Sequence, residues 1–408
     1  MRIAMVSEHA SPLATLGDVD AGGQNVHVAA LSLALAGRGH VVRVYTRRDS
    51  PTAPPRVRFG PGVDVIHVPA GPARHLPKDE LLPHMAEFGH RLAHHWAGNG
   101  VPDVVHAHFW MSGLAAIDAA TTVGAPVVQT FHALGTVKHR HQGEQDSSPR
   151  ERIDAESGIC RDADMIIATC SDEVTELRRM GATNAAIEVV PCGVDTQLFH
   201  PGVGAAATGG QQHAAPTLLC VGRLVERKGI DTIIRALVKL PGVELVVAGG
   251  PENAELAMHP EAIRLRRLAA ALDVQDRLRL LGSVAHDRMP ALMRAADLVV
   301  CTPWYEPFGI VPIEAAACGR AVVGSAVGGL LDTVGHGTTG TLVPPRDPIA
   351  VASAVRELLG DSTLRHRYET AARRRAVTLY DWSSVAAATD RAYRSLVTSP
   401  DRPGVLAG

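Results

Sequence analysis

Short β-branched runs alternate with helix-length segments along the whole chain, and this alternation limits the fold more than any other feature. Candidate strands lie at Arg2–Val6, Val41–Thr46, Val63–Val68, Val104–His106, Val127–Phe131, Met165–Ala168 and Ile187–Val190. They are apolar almost throughout, without the every-other-residue pattern of a half-exposed strand, as expected for strands covered on both faces. Helical patterns such as Asn25–Ala36 and Lys78–Ala97 separate them. The pattern predicts a parallel sheet assembled from βαβ units.

The rhythm breaks at residues 200–216, a stretch rich in Gly, Ala and Pro with no periodic apolar set, which reads as a linker. It then restarts, with strands expected at Thr217–Val221, Val243–Ala248, Leu278–Leu281, Leu298–Cys301 and Ala321–Gly324. The chain's 408 residues are too many for one ordinary core and suit two domains of ~150–200 residues. The expected division is a first Rossmann-like, doubly wound domain at 1–199, the linker, and a second such domain at 217–377. A last helix near Trp382–Leu396, within 378–408, follows them. Two α/β domains with the C-terminal edges of their strands facing each other would enclose a deep cleft, where ligands of open sheets bind.

Composition narrows the partners. Forty Lys and Arg balance 42 Asp and Glu for a formal net charge of -2, so no basic surface points to nucleic acid or to a membrane face. The longest apolar runs, such as Leu298–Cys301, fall far short of the ~20 residues of a membrane span. The N-terminal MRIAMVSEHA reads as a strand, and six scattered cysteines without a C-x-x-C pair read as reduced and mostly buried. A cytoplasmic location is expected.

The segments that carry chemistry fall in strand-to-helix loops. In Glu306-Pro307-Phe308-Gly309-Ile310-Val311-Pro312-Ile313-Glu314, two carboxylates flank a turn. Gly309 there lets backbone approach a ligand, and the helix that opens offers free N–H groups to phosphate. Glu314, placed in the first helical turn, can accept from sugar or ribose hydroxyls; the same residues also fit an ordinary helix start with acids that suit its dipole. In Val221–Ile230, Arg223 and Lys228 could reach a diphosphate leaving group or simply be solvated charges. Gly22-Gly23-Gln24-Asn25 resembles a phosphate-facing turn, and a structural turn fits it equally. It is not G-x-G-x-x-G, and Tyr45-Thr46-Arg47 puts no acid at the end of the second strand, which argues against a dinucleotide oxidoreductase.

His132 ends a strand and should point at the ligand edge, where it could bond a sugar hydroxyl or polarise the reacting centre. His106 and His108 have metal-ligand spacing but no carboxylate or cysteine nearby in sequence, so no metal is expected. The triplets Asp18–Asp20 and Asp162–Asp164 read as structural, and there is no G-x-S-x-G or P-loop.

The order and spacing of these pieces say more than any one of them. Gly22-Gly23, His132, Val190-Pro191-Cys192-Gly193-Val194-Asp195, Gly222-Arg223 with Lys228, and the Glu306…Glu314 pair together resemble retaining glycosyltransferase family 4. Val327-Gly328-Gly329 and Gly337-Thr338-Thr339-Gly340 also look like that family's glycine-rich stretches. The resemblance spans nearly the whole chain and is closest to the branch holding sucrose-phosphate synthases and the mycothiol-pathway inositol-phosphate glycosyltransferase.

That resemblance implies the GT-B fold and a set of roles. Arg223 and Lys228 would bind the donor diphosphate, Glu306 would lie by the donor sugar, and Glu314 would hold the ribose hydroxyls. Phe308, Gly309, Ile310 and Val311 would contact the sugar and phosphates through backbone, and Ser283 and Val284 would pack around the base. His132 would lie against the donor sugar, and the Gly22-Gly23 loop with Asn25 would approach diphosphate and acceptor. The last helix would return to the first domain. The implied reaction moves glucose or N-acetylglucosamine from UDP to a small hydroxyl acceptor with retention, without divalent metal or any other cofactor.

Lys78, Lys138 and Arg152 are candidates for a basic acceptor pocket, and Leu76–Leu82 resembles a stretch shared by members with phosphorylated acceptors. Phe109 and Ala133 stand where a phosphate-binding relative would offer hydroxyls, which leaves a phosphorylated acceptor open. The competing readings are a nucleotide-sugar epimerase of the same fold and a non-catalytic nucleotide-sugar-binding protein. The sequence also leaves a homodimer open.

Overall fold

The computed structural model describes residues 1–14, 23–183, 185–202, 215–252 and 254–398. Gly22, the triplet Asp18–Asp20 and residues 203–214 of the expected linker lie outside the described residues. The chain divides into two units, Met1–Cys192 with the stretch from Trp382 onward, and Gly193–Asp381.

In unit 1 the strands are β1 (Arg2–Val6), β2 (Val41–Arg47), β3 (Arg56–Gly60), β4 (Val63–Val68), β5 (Val104–His108), β6 (Val127–Thr130), β7 (Met165–Ala168) and β8 (Ala186–Val189). They pair in the order β3-β4-β2-β1-β5-β6-β7-β8. Every neighbour pair is parallel except β3 with β4. Val42, Val44, Val104, Val105 and Val128 are fully buried because helices cover both faces. On one face Phe88, Leu92 and Trp96 pack with Ala115, Ala116 and Ala119 of the following helix. On the other, Val28, Leu31 and Leu35 meet Val385, Ala386 and Tyr393 of the helix Trp382–Val397. That helix is also tied by Arg38 Nη2 to Asp390, 3.0 Å apart.

Unit 2 carries β9 (Thr217–Val221), β10 (Glu244–Ala248), β11 (Leu278–Gly282), β12 (Leu298–Cys301), β13 (Val322–Ser325) and β14 (Gly340–Val343). They form an all-parallel sheet in the order β11-β10-β9-β12-β13-β14. Strand order reverses between β1 and β5 in the first sheet and between β9 and β12 in the second. These are the topological switch points, where loops leaving adjacent strands diverge to opposite faces and open a ligand crevice.

Two strands escape the sequence reading. β3 alternates Arg56 and Arg58 with apolar residues, and both arginines pair with Asp64 of β4 at 2.6 and 3.1 Å. Outward charges of this kind blunt a sheet edge. β14 is short and opens on a glycine within a stretch read only as glycine-rich.

The unit boundaries also differ from the expected ones. Residues 193–199, assigned by sequence to the first domain, belong to unit 2. Val194 N–H donates to Tyr380 O at 2.7 Å, Thr196 Oγ1 donates to Asp381 at 2.5 Å, and Phe199 is buried in the unit 2 core. The chain therefore crosses before the glycine-rich stretch, and residues 378–381, expected with the last helix, stay in unit 2.

Candidate active site

The loop after β9 turns at Gly222, makes a single 3-10 turn at Glu226–Lys228, and enters the helix Ile230–Leu237 through Gly229. The loop after β12 runs from Thr302 to Gly309 and enters the helix Ile310–Ala317. Both approach the switch point, and three contacts tie them in register. Thr302 Oγ1 donates to Gly229 O at 2.8 Å, Trp304 N–H donates to Arg227 O at 2.8 Å, and Lys228 Nζ donates to Glu306 Oε2 at 2.5 Å. Gly229 has φ +65, and a Cβ there would lie 1.9 Å from Thr302 O. Only glycine allows this approach. Gly329 N–H, from the loop after β13, donates to Glu306 O at 2.7 Å.

Burial alone would raise the Glu306 carboxyl, but Lys228, then Arg227 and Arg223, outweigh it and hold the group below its ordinary range. Glu306 is thus an anion fixed among three cations. Arg227, which the sequence reading passed over, lies 5.1 Å above the Tyr305 ring.

Glu314 lies beyond the first turn of its helix, which begins at Ile310, rather than within it. Its carboxylate is buried and sits 3.5 Å from His286 Nε2, a residue the sequence reading did not single out. Burial raises the Glu314 carboxyl above its ordinary value despite the histidine. The hydrogen bond to Glu314 raises His286 in turn. His286 belongs to the loop after β11 that also carries Ser283, exposed and bonded through its N–H to Pro251 O at 2.8 Å, and Val284, packed on the unit 2 core. Phe308, Ile310 and Val311 are half-buried around Gly309, which has φ +75.

In unit 1 the loops after β5 and β6 carry two of the four non-glycine residues with positive φ among those described, Phe109 at +79 and His132 at +63. Such conformations are costly for bulky residues and cluster at functional sites. His132 is buried, and its Nε2 lies 2.9 Å from His108 Nδ1. Their rings stack at 5.1 Å, and His27 stands edge-on to His132 at 5.1 Å. Burial, with His27, His106 and His9 nearby, holds His132 well below the usual histidine value. The ring is therefore a neutral hydrogen-bonding group. Among the described residues no three His, Cys, Asp or Glu side chains are grouped so as to hold a metal ion.

Gly23 opens the helix Gly23–Gly37. Asn25 Nδ2 donates to Ser11 O at 3.0 Å, within the loop after β1. The three acceptor candidates do come together. Lys78 Nζ and the Arg152 guanidinium lie 6.0 and 5.1 Å from the Phe109 ring, while Lys138 and Arg152 share Ser148 Oγ at 2.8 and 3.2 Å. Two of them carry their own counter-charges, Lys138 with Asp146 and Arg152 with Glu156, each at 2.7 Å. Burial raises Glu156 against the pull of Arg152. Asp164 Oδ2 accepts from Val127 N–H at 2.8 Å, capping the start of β6, which is a structural role.

Comparison with known proteins places this geometry. Residues 208–375 match the glycosyl transferases group 1 family, and residues 21–198 match Glycosyltransferase Family 4. The chain is 39% identical over 95% of both lengths to a D-inositol 3-phosphate glycosyltransferase of Xylanimonas cellulosilytica. It is 38% identical to the protein of that name from Kineococcus radiotolerans, over 97% of this chain and 95% of the relative. Among solved structures, sucrose-phosphate synthase from Thermosynechococcus elongatus superposes with a TM-score of 0.86 at 33% identity, over 97% of this chain and 98% of that one. The chain belongs to glycosyltransferase family 4 and is a glycosyltransferase of the GT-B fold.

Proposed function

We propose that this glycosyltransferase moves a hexosyl group, of the glucose or N-acetylglucosamine class, from UDP to a hydroxyl of a small phosphorylated polyol such as an inositol phosphate, with retention of anomeric configuration. The observation that carries the proposal is the Lys228–Glu306 pair at the switch point of unit 2, with Arg223 and Arg227 acting on the same carboxylate. A lysine ammonium has three donors. One is held by Glu306, which fixes the group in place and leaves two for diphosphate oxygens. Charge stabilisers already in position when the leaving group departs are the largest contribution in reactions of this kind. Glu314, oriented by His286, holds the ribose hydroxyls.

In the front-face reaction the bond from C1 of the sugar to the β-phosphate oxygen breaks as the acceptor oxygen bonds C1 on the same face. The departing β-phosphate takes the acceptor's proton. Catalysis then consists of positioning and of neutralising the leaving group, with no protein nucleophile, metal or further cofactor.

The phosphorylated acceptor is supported by the names of the 38–39% identical relatives and by Lys78 and Arg152 beside Phe109, with Lys138 joined to Arg152 through Ser148. With Phe109 and Ala133 in place of hydroxyl-bearing residues, phosphate recognition would fall to these cations and Ser148. The test incubates UDP-glucose and UDP-N-acetylglucosamine with inositol phosphate and with free inositol, with and without EDTA. Mass spectrometry reads the product and the anomeric proton coupling reads its configuration. A retained-configuration glycosyl inositol phosphate, formed equally in EDTA, is expected. Inverted product, EDTA sensitivity, or equal use of free inositol would contradict the corresponding part of the proposal.

A further inference from the structure

Arg47 is the last residue of β2 and is only 4% exposed. Among the described residues its guanidinium pairs with carbonyls and with no carboxylate. Nη1 donates to Pro72 O at 2.7 Å, Arg48 O at 3.2 Å and Ala70 O at 3.5 Å, and Nη2 donates to Arg74 O at 2.6 Å. Burial lowers its pKa, as expected for a charge taken out of water, while Asp49 acts the other way. Carbonyls thus stand where a counter-ion would, and three of them belong to alternate residues of one loop, 70, 72 and 74.

That loop leaves β4, which pairs with β2 so that Val68 lies opposite Arg47. Residues 71, 72, 74 and 75 are exposed, between the buried Ala70 and Leu76. Pro72 and Pro77 have no N–H, which leaves the loop fewer donors to fix its own path. A guanidinium fixes it from below, because its donors are held in one rigid plane. Arg47 is itself anchored through its N–H to Glu8 O, 3.0 Å away in the loop after β1. Two residues past Leu76 the loop delivers Lys78, in the 3-10 turn Lys78–Glu80. Lys78 Nζ lies 6.0 Å from the Phe109 ring, and Asp79 accepts from Ser147 Oγ at 3.0 Å, beside Ser148 of the Lys138 and Arg152 group.

We infer that Arg47 is a positioning residue for the acceptor: by gathering the carbonyls of residues 70, 72 and 74, it sets the path of the loop that carries Lys78 to the Phe109 ring. The effect on the reaction rests on the proposed reading that Lys78 meets the acceptor phosphate; the hold on the loop does not.

Two measurements separate these. Hydrogen exchange read by mass spectrometry follows the amides of residues 71–80 in the wild type, Arg47→Met, Arg47→Lys and Lys78→Ala. Arg47→Met should speed exchange about tenfold or more, the scale of one hydrogen bond to a charged group. Arg47→Lys, which keeps the charge but not the planar fork, should fall between, and Lys78→Ala should match the wild type. Steady-state kinetics with inositol phosphate then read the acceptor KM. Arg47→Met should raise it about tenfold, with kcat changing less and UDP affinity within about twofold of wild type. In the Lys78→Ala background the same substitution should raise it less than about twofold further, because the two residues act as one unit.

Unchanged loop exchange in Arg47→Met overturns the inference, and so does an equal rise in KM with and without Lys78. If the methionine variant does not fold, Arg47→Lys makes both comparisons with the same signs. Faster loop exchange with an acceptor KM that neither Arg47→Met nor Lys78→Ala alters upholds the hold on the loop and rejects Lys78 as the acceptor's contact. If inositol phosphate is not used at all, the exchange decides the inference alone.

Discussion

Lys228 Nζ lies 2.5 Å from Glu306 Oε2 and joins the loops that leave β9 and β12 on the two sides of the unit 2 switch point. Both side chains are mostly buried, at 18% and 15% exposure. The ammonium is thus held in place before any ligand arrives. Replacing Lys228 by Ala removes a fixed charge from the leaving group and is expected to lower kcat at least ~100-fold in a folded protein. Steady-state assays beside a circular dichroism melt check this, and near-normal turnover would reject the assignment.

Arg227 acts on the same carboxylate from the adjacent position. Lys228, Arg227 and Arg223 all pull Glu306 down against its burial. Removing the Arg227 charge in Arg227→Gln should let the Glu306 carboxyl rise. If ionised Glu306 is the active form, the acid limb of the kcat/KM profile then moves to higher pH while the plateau changes less. A profile whose acid limb does not move would show that Arg227 serves only to pack on Tyr305.

The backbone staple between the loops has its own test. Gly229→Ala places a Cβ 1.9 Å from Thr302 O at φ +65. A left-handed conformation alone costs a non-glycine residue ~1–3 kcal/mol, and the carbonyl must also move. Urea unfolding should show a loss of at least that size, with weaker donor binding because the Trp304–Arg227 and Lys228–Glu306 contacts share the strained segment. Unchanged stability would mean the two loops are not tied here.

The His286–Glu314 pair makes a pH prediction of definite sign. The hydrogen bond to Glu314 raises His286 above 6.5, its ordinary value. A group whose folded value is raised contributes stability that is complete below its unfolded value and is lost as pH rises through the folded one. Wild-type stability should therefore decline from about pH 6.5 upward through the His286 midpoint, and the decline should flatten in Glu314→Gln. Proton NMR titration of the His286 ring should give a midpoint above 6.5 in the wild type and a lower one in the variant. Equal midpoints would show that Glu314 does not hold the ring.

What the sequence made legible follows from what burial does to residue choice. Strands covered on both faces become unbroken apolar runs, so Val127–Thr130 and Leu298–Cys301 stood out. β3 did not, because an edge strand carries charges at Arg56 and Arg58. Arg223, Lys228 and Glu306 were readable because each lies in a short strand-to-helix segment of recognisable order. His286 was not, since its partner Glu314 comes from the helix Ile310–Ala317, remote in sequence, and only the fold pairs them. Arg227 was hidden for another reason, as part of its work is done by a backbone carbonyl. The counter-charge on Arg152 was within reach of the sequence, for Glu156 stands one helical turn on.

The most direct measurement compares UDP with uridine by isothermal titration calorimetry, in the wild type and in the double variant Arg223→Ala, Lys228→Ala. If these cations hold the diphosphate, UDP affinity should fall about 100-fold or more, from the loss of two charge-assisted contacts, while uridine affinity stays the same. UDP binding that survives the double substitution, or a loss shared equally by uridine, would contradict the account.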